Sequence, residues 1–186
     1  MLTLLILFAG KRYLVGPGTR VDMYLQLSMD VANLSTLYGD KAQQIAFFDA
    51  EIGWAFDRLY FWGFHIGTYA PPLILRDTLT DRDIPINGLL VGTSVGLVPI
   101  SGFFIHPLLQ VRGGAGFVSD ARDGIGYYDL FTYVVPAAGV EINITPYIKA
   151  GVLASYRYLI DLNPPGISRS DPMGPSWGIF FKLAGY

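Results

Sequence analysis

The stretch Val21-Asp-Met-Tyr-Leu-Gln-Leu-Ser-Met-Asp-Val31 decides the fold. Val21, Met23, Leu25, Leu27, Met29 and Val31 take every odd position, and Asp22, Tyr24, Gln26, Ser28 and Asp30 every even one. Side chains alternate between the two faces of a strand, so this segment is a β-strand with one wholly apolar face and one polar face. A helix would scatter the same residues around its circumference.

The same period recurs in seven further segments. Residues 45–56 set Phe48, Ile52, Trp54 and Phe56 against Asp49, Glu51 and Gly53. Residues 60–70 set Tyr60, Trp62, Phe64 and Ile66 against Phe61, Gly63, His65 and Gly67. Residues 88–97 set Leu89, Val91, Val95 and Leu97 against Gly88, Gly92, Ser94 and Gly96. In 103–117, Phe103, Ile105, Leu109 and Val111 oppose His106, Gln110, Arg112 and Gly114. In 127–143, Leu130, Val134, Val140 and Ile142 oppose Asp129, Tyr133, Gly139 and Glu141. In 147–161, Ile148, Val152, Tyr156, Tyr158 and Ile160 oppose Lys149, Gly151, Ser155 and Arg157. Last, Trp177, Ile179, Phe181 and Leu183 alternate with Gly178, Phe180 and Lys182.

Eight strands is an even number, and most approach or exceed the 9–11 residues that cross a bilayer at a tilt. The connections at 57–59, 98–102 and 144–146 are short; those at 32–44, 71–86, 118–126 and 162–175 are long. Long and short alternate, as in an up-and-down barrel with short periplasmic turns and longer external loops. The sequence therefore predicts an all-β fold, an eight-stranded antiparallel up-and-down transmembrane β-barrel spanning residues 16–186. Pro107 and Pro136 fall inside strands, where each forfeits a ladder bond, so a bulge or bend is expected at both.

Composition supports this and closes other routes. Apolar residues make up 52% and charged residues 15%, against roughly 25% charged in an average soluble domain. That excludes disorder. Thirteen positive against 15 negative charges exclude a basic nucleic-acid binder. With no cysteine, disulfides, thiolate catalysis and cysteine-based zinc sites are all excluded. Spanning helices fail because residues 59–75, 88–111 and 127–154 are broken by prolines and polar groups short of about 20 apolar residues. A soluble barrel would need a charged outer face, and the non-apolar face here is mostly Gly, Phe and His with few charges. Residues 1–15 open with an apolar run that has no basic n-region before it. Two readings stand for it: a truncated export signal with Ala9 at its cleavage point, or a first segment of the mature fold.

Aromatic positions fit a bilayer. Trp54, Phe56, Tyr60, Trp62, Phe103 and Tyr186 fall near the short-turn end; Phe117, Tyr128, Tyr156, Tyr158 and Trp177 fall near the long-loop end. Amphipathic rings belong at the two interfaces.

The inward phase gives the candidate site. Eight strands enclose an interior just wide enough for side chains to fill. Counting back from the short turns puts Glu51 opposite His65 and Glu141 opposite Lys149. Gln26, Asp49, Gln110, Arg112, Arg157 and Lys182 extend this polar network. Phe47, Phe61, Leu90, Phe104, Leu108, Phe131, Val135, Leu153 and Phe180 also point inward, as solid packing or as an apolar pocket for a small hydrophobic molecule. A hydrolase reading would join Glu51 and His65 to Ser94 or Ser155 as nucleophile, but no nucleophile motif stands beside either histidine. Asp77, Asp81 and Asp83 invite a calcium reading, although their spacing matches no EF-hand. No cofactor motif is present, and no catalytic residues are assigned.

In its last strand, Ser176-Trp-Gly178-Ile-Phe-Phe181-Lys-Leu183 resembles the assembly signal of the small outer-membrane barrels, such as OmpX and the membrane domain of OmpA. Tyr186 supplies a terminal aromatic, out of phase with Phe181 and Leu183. The resemblance covers residues 20–186 as architecture. It implies the bacterial outer membrane as location, the lipid bilayer and the barrel-assembly machinery as partners, and a monomer with an unidentified external partner at its loops. No catalytic motif of the family carries over.

Overall fold

The computed structural model of the chain describes residues 13–14, 20–34, 43–77, 82–99, 104–120, 128–162 and 172–184. They form strands β1 (Tyr13–Leu14), β2 (Arg20–Leu34), β3 (Gln43–Phe56), β4 (Tyr60–Ala70) and β5 (Leu73–Asp77). These are followed by β6 (Arg82–Leu97), β7 (Ile105–Asp120), β8 (Tyr128–Asn143), β9 (Ile148–Ile160) and β10 (Met173–Ala184). Eight of them close into an antiparallel barrel, in the order β2-β10-β9-β8-β7-β6-β4-β3 and back to β2.

Closure follows from the period. Leu25 of β2 pairs with Ile52 on one side and Leu183 on the other, so each outward apolar residue meets its own kind across the ladder. Leu27 is 56% exposed, and Phe64, Ile66, Val95, Leu109, Phe117, Val152, Ile179 and Phe181 are exposed with it. A contiguous apolar surface of this extent belongs in lipid. Val21 is the exception on its face, 3% exposed at the rim where Tyr13 pairs with it.

Three expectations are corrected. The 71–86 connection is not an open loop: after Pro71-Pro72, β5 pairs with the start of β6, so the strands run on as a hairpin joined through residues 78–81. The 98–102 connection extends to residue 104, because β7 begins at Ile105. Phe104, inward by phase, precedes that strand and is 65% exposed.

The prolines sit where a ladder bond is not needed. Pro107 pairs with Val140, but the β6–β7 ladder stops at Leu109. Pro175 pairs with Tyr156, and the β10–β2 ladder begins only at Ser176. Pro85 faces Ile74, while β7 joins only from Ile86. At Pro136 the β8–β9 ladder skips two residues and resumes at Ala137↔Ser155, in unchanged register with Val134↔Tyr158. The expected bulge is therefore a local loss of pairing without an inserted residue.

Ser176–Ala184 of β10 hydrogen-bond toward β2 over most of their length and toward β9 as well. Deleting residues 181–186 leaves two sheet edges in lipid, at several kcal/mol per unpaired backbone group. The expected result is loss of the heat-modifiable, protease-resistant form on gels. A truncated chain that still migrates as a compact barrel would show that closure does not depend on this strand.

Candidate functional site

Polar side chains from all eight strands of the barrel meet inside it at three levels. Nearest the long connections, Asp30 is the hub. Its Oδ2 accepts Arg112 Nη2 at 2.6 Å and Arg157 Nη2 at 3.3 Å. Arg112 Nη1 also donates to Asp49 Oδ2 at 3.2 Å and Ser28 Oγ at 3.3 Å. The Arg157 guanidinium lies 3.6 Å from the centre of the Phe47 ring. Both arginines are fully buried, where an unpaired guanidinium would be costly.

At mid-height, Glu51 accepts from the Tyr24 hydroxyl, from Ser94 Oγ at 2.6 Å and from Gln110 Nε2 at 3.3 Å. His65 stands opposite Glu51 in the ladder, as the tight 57–59 turn dictates. Its Nε2 nevertheless bonds to the Tyr133 hydroxyl. Ser94 thus donates straight to a carboxylate, and the imidazole is engaged elsewhere. Ser155 Oγ pairs with Ser176 Oγ at 2.6 Å. Neither serine stands in a Ser–His–carboxylate relay.

Nearest the short turns, Glu141 holds Lys149 at 2.7 Å and Lys182 at 2.8 Å, with His106 Nε2 at 3.5 Å. The Lys182 ammonium also lies 4.8 Å from the Phe61 ring centre and 5.1 Å from that of Tyr24. The ladder here departs from expectation: Glu141 faces Gly151, and Asn143 faces Lys149. The turn is longer than 144–146, because Thr145 Oγ1 accepts the amides of Tyr147 and Ile148 at 3.2 and 3.0 Å. The long lysine stem makes the contact diagonally instead.

Two apolar clusters flank these levels. One, toward the long connections, includes Phe47, Tyr69, Leu90, Phe131, Val135 and Leu159. The other, toward the short turns, includes Tyr24, Phe61, Val98, Leu108, Leu153 and Phe180. A cavity of about 30 Å³ opens at the short-turn mouth, lined by Asp22, Arg58, Glu141, Lys149 and Lys182 among others.

Gly178 shows why the last strand carries a small residue there. A Cβ at this position would collide with the Asp30 carboxylate and the Met29 carbonyl. Gly178→Ala is expected to cost about 1–3 kcal/mol by overpacking the hub, read as a lower urea midpoint for unfolding from lipid vesicles. An unchanged midpoint would mean that Asp30 has room to move.

All ten residues of the anticipated polar network are buried within the barrel, as are Phe47, Phe61, Leu90, Leu108, Phe131, Leu153 and Phe180. Trp54 stacks on Trp62 at 5.5 Å, and Tyr156 meets Tyr158 at 4.7 Å, at opposite ends of the outer surface. Trp177, Phe181 and Leu183 face outward, whereas Ser176 and Gly178 face inward. Tyr186, Phe103, Asp81 and the side chains of Tyr128, Asp77 and Asp83 lie outside the described residues. Asp30, Tyr24, Ser28 and Tyr133 were on the inward faces but not in the anticipated network. The alternation of β2 already held the signal for the first three. Among the described residues no group of three metal-ligating side chains comes together.

Solved structures share this architecture. The crystal structure of Neisserial surface protein A (NspA) matches with a TM-score of 0.67 at 11% identity, covering 88% of this chain and 97% of that one. The N-terminal β-barrel domain of Pseudomonas aeruginosa OprF gives 0.54 at 12% identity, covering 87% and 97%. Ail, the attachment invasion locus protein of Yersinia pestis, gives 0.54 at 12% identity, covering 88% and 97%. The chain has the fold of the small eight-stranded outer-membrane barrels. No protein-family description matches the chain, and neither does any curated protein sequence.

Proposed function

We propose that the chain is a non-enzymatic integral protein of the bacterial outer membrane, a barrel with a plugged lumen that acts through its external connections. One observation carries this reading: ion pairs centred on Asp30 and on Glu141, the hydrogen-bonded Glu51 between them and two apolar clusters are all buried, so side chains occupy the interior along its length. Ion pairs at Asp30 and Glu141, and hydrogen bonds to the Glu51 carboxylate, hold such a plug together. The same packing favours a filled interior over a pocket for a small hydrophobic molecule. With the lumen closed, the surface chemistry left to the protein is at its ends. Ail, of the same fold, is an attachment invasion locus protein, which supports a surface role for the long connections.

A planar-bilayer recording on the refolded barrel tests the plug. Baseline current with no stable unitary steps is expected. Reproducible open levels would replace the plugged reading with a pore. Protease added to intact cells tests the orientation: cleavage at residues 78–81 with the 57–59 turn spared is expected, and the reverse would invert the topology.

A further inference from the structure

Among the described residues, Glu51 is the one carboxylate inside the barrel that is bonded to no cation. Its Oε1 accepts from the Tyr24 hydroxyl and from Ser94 Oγ, and its Oε2 from Gln110 Nε2, all neutral donors. The cations of the lumen are engaged elsewhere. Arg112 is held by Asp30 and Asp49, Arg157 by Asp30, and both Lys149 and Lys182 by Glu141. His65, opposite Glu51 in the ladder, turns to Tyr133. A carboxylate taken out of water is ordinarily paired with a cation or bound to a metal ion.

Neutral oxygens complete the surroundings. Gln26 faces Glu51 directly across the β2–β3 ladder, is 1% exposed, and has neither amide atom hydrogen-bonded within the protein. Gln110 Oε1 is buried and unpartnered as well. An amide keeps its shape when turned over, and turning this one brings its oxygen to the carboxylate. Gly53 and Gly63 clear the place: a Cβ at either would strike the Tyr24 hydroxyl, and at Gly63 also Glu51 Oε1. One carboxylate among amide and hydroxyl oxygens is a hard donor set with a single negative charge. It suits a small monovalent cation, whereas a divalent ion calls for more carboxylate. The groups come from β2, β3, β6 and β7, so the set is assembled only when the barrel closes.

We propose that Glu51, Gln26 and Gln110 hold one sodium ion in the lumen, with the Tyr24 and Ser94 hydroxyls bracing the carboxylate. The ion is captured as the wall closes, so its binding adds to the stability of the folded barrel. The test is urea unfolding of the refolded barrel from zwitterionic vesicles at fixed ionic strength, with sodium replaced stepwise by choline, which is too large for the site. A higher midpoint in sodium is expected. Above the Kd, one bound ion raises the folding equilibrium constant about tenfold for each tenfold rise in sodium. Glu51→Gln, which keeps the shape and removes the charge, should make the response flat. Gln26→Leu should keep the response but shift it to several-fold higher sodium, and Val152→Ala, outward on β9, should leave it unchanged. Sodium-23 NMR on the unaltered barrel needs no variant: line broadening beyond that of empty vesicles, lost when urea unfolds the protein, is expected. Equal midpoints in sodium and choline without excess broadening would leave water as the filler and overturn the site. A sodium response that survives in Glu51→Gln would overturn it too, by placing the ion elsewhere.

Discussion

Leu27→Arg is expected to destabilise the barrel in lipid vesicles by about 2–4 kcal/mol, the cost of an arginine facing the bilayer midplane. Leu27 lies at the centre of the fifteen-residue β2 and points straight out. In a water-soluble barrel the same exposed change would fall within about 0.5 kcal/mol. Reversible urea unfolding from vesicles measures the difference. Arginines at Met23 or Val31, outward near the two ends of β2, should cost less, because the penalty falls toward the interfaces. A flat profile along β2 would mean that this face does not meet hydrocarbon.

A change of similar size is expected inside. Asp30→Ala removes the carboxylate shared by Arg112 and Arg157, and breaking a buried pair from one side costs about 3–5 kcal/mol. Asp49 partly compensates Arg112, at 3.2 Å. Combining Asp30→Ala with Arg157→Met should recover a measurable part of the loss, because the stranded charge is gone. If the double variant is as unstable as the sum of the two single ones, the three groups do not act as a unit.

The wall of this barrel was legible in the sequence and its interior wiring only in part. Period two assigns inward and outward faces locally, so β2 could be read without knowing its neighbours. Glu51↔His65 was readable because Asp57 and Arg58 adopt left-handed conformations in a tight turn that fixes the register. Glu141 and Lys149 were misaligned because a threonine-capped turn carries extra residues, which spacing alone does not show. The β5 hairpin was hidden by Pro71-Pro72, which break the run, and by Leu73-Ile-Leu, which does not alternate. Arg112 reaches Asp30 across the lumen, between strands that are not neighbours in the sheet. Such a contact depends on the stagger of the closed barrel, and no stretch of sequence encodes it alone.

The seam between β2 and β10 joins the two ends of the chain, with Asp30 beside Gly178. Every other wall pairing is between consecutive strands of the barrel, so it can form as a hairpin while the chain is still being delivered. The seam alone must wait for the whole polypeptide, and its long-range closure is the entropically slow event. Asp30 sits on this seam, yet its cationic partners come from β7 and β9. The hub can therefore be satisfied only once the ends have met. A one-residue slip at the seam would turn the carboxylate toward hydrocarbon and strand both guanidiniums. The buried ion pairs thus act as a proofreading step in time: they reward one alignment of the first and last strands, at the moment when no later event could correct a wrong one.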